Sequence, residues 1–186
     1  MTTTREQWLE AGVAALRPHF DTSGYAVPEH VRVSVGWPRA SRKAIGQCWK
    51  RSAAVDGVSQ IFISPVTSAG VEALDTLAHE LVHAAIDPHS GHGGAFIKAR
   101  NATGLTEGKP TCAGAGPELK ALLTTIAAKL GEYPHAALNP NVEKKQSTRL
   151  LKVKCSDCGY LCRVTSKWLE TAGAPICPSC REPMKW

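Results

Sequence analysis

His79-Glu80-Leu81-Val82-His83 lies in a segment whose apolar residues recur with the period of a helix, and this combination constrains the chain more than any other feature. Val71, Leu74, Leu77, Ala78, Leu81, Val82 and Ala85 form one broad stripe, which predicts a helix over Ala69 to Ile86 with Ser68 as its N-cap. On such a helix residues i and i+4 share a face, so the two imidazoles can reach one metal ion. The glutamate between them then stands beside the metal without ligating it, placed to take a proton from water.

A catalytic zinc normally has three protein ligands and one open position. Two histidines behind the pentad are candidates for the third. His89 stands ten residues after His79, as in HExxHxxGxxH, but that pattern needs glycine where this chain has Ile86. His92 lies in Gly91-His92-Gly93-Gly94-Ala95-Phe96, where small residues let a loop fold back and Phe96 can anchor the next helix. Downstream carboxylates, Glu107 or Glu118, remain a third possibility. His19, His30 and His135 have no partner at ligand spacing.

Around the pentad, residues 4–17 read as an amphipathic helix stopped by Pro18, with Trp8, Leu9, Val13 and Leu16 on its apolar side. Val31 to Val35, Ile45 to Trp49 and Gln60 to Ser64 read as strands. Short helices are expected from Gly94 to Ala102 and over 117–131. Pro134 to Thr148 lacks apolar periodicity and reads as a linker.

Cys155-x-x-Cys158 and Cys177-x-x-Cys180 are separated by eighteen residues, a spacing typical of four-cysteine zinc sites. Each pair can form a tight knuckle, and together they can fold a segment too small for its own core. Of the seven cysteines, Cys48, Cys112 and Cys162 are left over as free thiols. The apolar stretch Ala11 to Leu16 is too short for a signal peptide, and no run reaches membrane-spanning length. An intracellular protein with no membrane partner is therefore expected.

Net charge is +6, unevenly spread: residues 143–186 hold nine Lys/Arg against four Asp/Glu, and residues 1–142 hold thirteen against twelve. Lys144, Lys145, Arg149, Lys152 and Lys154 lead into the cysteine pairs as a basic arm suited to phosphate contact without sequence specificity. A second basic group, Arg39, Arg42, Lys43, Lys50 and Arg51, has Trp37 and Trp49 interleaved. Tyr160, Trp168 and Trp186 can stack on bases, but core packing is the favoured expectation for all five aromatics.

HELVH, followed by GHGGAF and then by a paired-cysteine module, resembles the SprT-like (Spartan) zinc metallopeptidases. In that family the third zinc histidine belongs to an H-G-x-x-F/W stretch, which maps onto His92 to Phe96. The resemblance implies an α+β fold: a zincin-like metallopeptidase domain (1–135) with the HExxH helix and a small antiparallel sheet, a basic linker (136–149), and a C-terminal zinc ribbon (150–186). It implies two zinc ions per chain, one catalytic on His79, His83 and His92 and one structural on Cys155, Cys158, Cys177 and Cys180. Glu80 would be the general base of a monomeric endopeptidase cleaving proteins bound or crosslinked to DNA. The rival readings are a regulatory protease cutting one repressor, or a non-catalytic nucleic-acid-binding adaptor built on the same scaffold.

Overall fold

The computed structural model describes residues 3–39, 43–87, 91–142 and 149–186. Arg42, His89, Lys144 and Lys145 lie outside them. The chain divides into two compact units, Met1–Pro140 and Asn141–Trp186, and among the described residues no helix is long and apolar enough to cross a membrane.

The first unit is α+β. It is built around α2 (Gly70–Ala85), in which Ala73, Leu74, Leu77, Ala78, Leu81, Val82 and Ala84 are buried together with His79 and Glu80. A helix buried on this much of its circumference must be packed on several sides. It touches α1 (Arg5–Thr22), α3 (Gly94–Ala102), α4 (Pro117–Leu130) and two strands. Its N-cap is Ala69, which offers no side-chain acceptor, so Ser68 does not cap it.

The first helix also departs from expectation. A Thr4/Gln7 capping box opens it, but Pro18 does not close it; the helix runs on to Thr22 with Pro18 inside. Proline removes one backbone donor and crowds the preceding turn. Burial outweighs this, because Leu16 before it and Phe20 after it are both fully buried. Gly12 sets the distance to α2: a Cβ there would lie 2.8 Å from Leu74 Cδ2.

Strands β1 (Val31–Val35), β2 (Gly46–Trp49) and β3 (Ser59–Ile63) form one sheet in the order β1-β3-β2. The sheet is mixed rather than antiparallel. β2 runs antiparallel to β3, with Cys48 opposite Ile61, but β1 runs parallel to β3, with Val33 opposite Ile61. Apolar alternation marks the face a strand buries and says nothing of its partner's direction. Here Val33, Ile61 and Ile63 join the helices' core, while Gln47, Trp49, Gln60 and Phe62 line a pocket on the sheet's other face. β2 is left as an edge strand.

Between α4 and the end of this unit the chain has no regular element, yet Leu138 N–H donates to the Pro65 carbonyl and a His135 ring nitrogen lies 2.9 Å from the same oxygen. Residues 136–140 therefore belong with the first unit and not with a free linker.

The second unit has a hairpin, β4 (Leu150–Lys154) with β5 (Leu161–Thr165), followed by α5 (Ser166–Ala172). Among its described residues the buried core is Val153, Cys155, Leu169, Cys177 and Met184. Core packing of the aromatics fails for four of the five: Trp37, Tyr160, Trp168 and Trp186 are exposed, and Trp49 is half-buried.

Leu77 is fully buried and faces the helices, away from the histidines' cleft. Leu77→Ala should cost the first unit about 2–5 kcal/mol, the usual penalty for emptying such a site. Urea denaturation followed by circular dichroism measures this, and a loss under about 1 kcal/mol would contradict the packing described.

Candidate metal centres

His79 and His83 project from one face of α2, and His92 comes from the glycine-rich loop that leads into α3. The three Nε2 atoms converge: His92 Nε2 lies 3.2 Å from that of His79 and 3.2 Å from that of His83. A tetrahedral metal with nitrogen ligands at about 2.0–2.1 Å spaces those nitrogens roughly 3.3–3.4 Å apart. The spacing therefore fits one ion. Glu107 and Glu118 are exposed and stand outside the group. His19 meets the Thr103 carbonyl, His135 lies between Arg5 and Pro65, and His30 is exposed beside Glu29.

Backbone and ring contacts fix these orientations. His79 Nδ1 is 3.0 Å from the Ala113 carbonyl, to which it donates, so its Nε2 carries the lone pair. Phe96, fully buried at the start of α3, stacks on His83 with ring centroids 4.4 Å apart, lies tilted against His79 at 5.0 Å and meets His92 edge-on at 4.8 Å. The loop holding Ala113 is itself clamped. Asp75, one turn before His79, accepts the Ala115 N–H at 2.9 Å, and buried Arg100 of α3 donates to the carbonyls of Thr106 and Gly108.

Burial also sets the charge state of the donors. It lowers the pKa of all three imidazoles, that of His83 to about 3 with help from the other two rings, so each is a neutral ligand at physiological pH. Glu80 is buried on the neighbouring face of α2, and burial pushes its carboxyl up to about 8, opposed by a hydrogen bond from the Cys48 backbone N–H. A cation on the three imidazoles would favour the ionised carboxylate.

The edge strand passes directly over this carboxylate. A Cβ on Gly46 would lie 2.5 Å from Glu80 Oε1 and 2.7 Å from Thr76 Cγ2. Asp87, just past α2, accepts hydrogen bonds from the Arg51 backbone and guanidinium, which ties the far end of β2 to the same helix. Two depressions of about 470 and 340 Å³ meet at this point, sharing Ala44, Gly46, His79, Glu80 and Thr111 in their walls.

In the second unit the sulphurs of Cys155, Cys158, Cys177 and Cys180 all lie within 4.8 Å of one another. Cys158 and Cys177 are 3.6 Å apart, too far for a disulfide. The distance suits two thiolates on one tetrahedral ion, which sit about 3.8 Å apart at a zinc–sulphur length of about 2.3 Å. Backbone N–H groups of Cys180 and Ser179 pull the Cys177 thiol down to about 7. Cys162 is half-buried on β5 opposite Val153 and is not among the four. Both sets are positioned to bind metal ions and are compatible with zinc.

Of the basic arm, Arg149, Lys152 and Lys154 are exposed. Arg163, exposed on β5 directly opposite Lys152, joins them through the strand register. Ala113, Cys48 and Gly46 act through backbone atoms or lack of a side chain, and no residue type in the sequence announces such roles.

No protein-family model, curated protein or solved structure matches this chain, so what these centres can do follows from their own geometry.

Purified protein should carry two zinc ions per chain by elemental analysis. His92→Ala should lower this to one while His89→Ala keeps two. Cys177→Ser should also lower it to one and unfold the second unit, whose core is too small to stand alone. Two zinc ions retained by His92→Ala would remove it from the ligand set.

Proposed function

We propose that the first unit is a zinc-dependent endopeptidase with a zincin-like fold, as the SprT-like resemblance implies. The observation that carries this reading is the buried Glu80 carboxylate beside three convergent imidazole nitrogens, at the junction of two depressions. A zinc ion held by His79, His83 and His92 would supply Lewis acidity, polarising a substrate carbonyl and acidifying water.

The chain's own residues do the rest. Glu80 takes a proton from the attacking water and returns it to the leaving amine nitrogen, a task suited to a carboxyl whose basicity burial raises above the usual carboxylate range. The Cys48 N–H holds the carboxylate in place for both transfers. A reacting centre at the junction of two depressions has room for chain on more than one side, which favours endopeptidase over terminal cleavage. The free side of edge strand β2 offers backbone groups to an extended polypeptide laid beside it. Gly46 keeps that strand close to Glu80.

The substrate class follows from the second unit. Arg149, Lys152, Lys154 and Arg163 form an exposed cationic face on or beside its hairpin, suited to phosphates and lacking any base-reading motif. This supports proteins bound or crosslinked to DNA as substrates, held near the peptidase unit by a zinc ribbon that grips the backbone. The Glu80 carboxylate favours this over an adaptor, because a scaffold gains nothing from a buried carboxylate that costs free energy to desolvate.

Glu80→Gln preserves size and removes the base. It should lower cleavage of an unfolded protein substrate at least 10²-fold while both zinc ions stay bound. Quantified cleavage alongside metal analysis tests this. Undiminished activity would remove Glu80 from the reaction, and a wild-type protein that cuts nothing would favour the adaptor.

A further inference from the structure

The helices cover one face of the three-stranded sheet; the other holds a pocket of about 380 Å³ between Trp37, Trp49 and Phe62. Phe62 lies on the central strand opposite Gln47, and Trp49 stands beyond it on the edge strand. Trp37, at the end of β1, is 45% exposed, so its ring is open to solvent and not committed to a core. Arg39 brings its guanidinium over the Trp49 ring, 5.8 Å from the centroid, and its backbone N–H donates to Gln47 Oε1 at 2.7 Å. That bond orients the Gln47 amide at the wall of the pocket.

The charge around this pocket is one-sided. Residues 31–60 contain six Lys/Arg and a single acid, Asp56, whereas the rest of residues 1–142 contain seven Lys/Arg and eleven Asp/Glu. Asp56 is paired with Arg32 and Arg51 with Asp87, while Arg39 is exposed at the aromatic face and Lys50, also exposed, lines the depression beside Glu80. Aromatic rings within a cationic surface are the arrangement that single-strand binders use, with bases stacked and phosphates neutralised. A duplex hides its base faces and cannot stack this way. A protein partner could use the same tryptophans, but nothing in its chemistry calls for the excess positive charge.

We propose that this outer sheet face binds single-stranded nucleic acid, stacking bases against Trp37 and Trp49 and placing phosphates against Arg39. The site is separate from the cationic face of the second unit and needs no peptidase activity. It backs directly on the cleft: Gln47 and Trp49 of β2 line both this pocket and the depression beside Glu80. A strand held here lies against the back of the same β-strand that borders the reacting centre.

The test uses the full chain with labelled oligothymidine, the matching oligouridine and a duplex, together with photocrosslinking of a bromouracil-substituted strand and mapping of the crosslinked peptides. Crosslinks should map to Trp37 or Trp49. Trp37→Ala should weaken single-strand binding about 5- to 100-fold, the range for losing one stacked base, and leave duplex binding unchanged. Trp37 is exposed, so unchanged circular dichroism and zinc content should confirm that this variant folds. Arg39→Gln should weaken binding and flatten its salt dependence by about one phosphate contact. The deoxy and ribo strands tell which nucleic acid is the source, and binding of either supports the inference. Crosslinks confined to residues 149–186, with Trp37→Ala binding as wild type, would overturn it and leave the second unit's contact standing. Absence of binding to either single strand would overturn both.

Discussion

Three imidazole Nε2 atoms converging on one point is the arrangement on which the rest of the first unit depends. Burial withdraws the water that would otherwise solvate these apposed nitrogens, which costs free energy. A cation at their centre turns this cost into binding energy. Each neighbouring element can be read as holding the arrangement open for it: Ala113 O fixes the tautomer of His79, and Phe96 supports all three rings from below. Asp75 and Arg100 clamp the loop that carries Ala113. The buried carboxylate of Glu80 has the same logic, since its ionised form is costly among apolar neighbours and favoured beside a bound cation.

The two units solve the problem of holding a metal in opposite ways. The first has a large core, with α2 buried on most sides, so its histidines are pre-positioned by packing. The second has five buried core residues among those described, two of them cysteines, so its ligands are part of its core. Metal binding and folding are then nearly the same event there, but separable in the first unit. That difference suits a reactive centre on the rigid unit and a structural one on the small module.

How far the sequence showed this depended on whether a feature has a period or a spacing. The α2 stripe, the i, i+4 histidines and the paired cysteines have both, and the structure brings each set together. His92 was legible from its glycines and from Phe96, although spacing alone also allowed His89. Pro18 misled because local propensity was overridden by burial of Leu16 and Phe20. The direction of β1 was hidden because alternation records a face and never a neighbour. Arg163 stayed unseen until strand register set it beside Lys152. The hydrogen bonds from His79 to Ala113 and from Cys48 to Glu80 use backbone atoms, which every residue has, so no composition could reveal them.

The central claim is that the histidines form an open metal site and the cysteines a closed one. An anomalous difference map recorded at the zinc absorption edge, from crystals of the zinc-loaded protein, tests it most directly. The account predicts two peaks per chain. One should lie about 2.0–2.1 Å from Nε2 of His79, His83 and His92 with no fourth side chain bound, and the other about 2.3 Å from the four cysteine sulphurs. A single peak at the cysteines, or a histidine site closed by a fourth protein ligand, would contradict it.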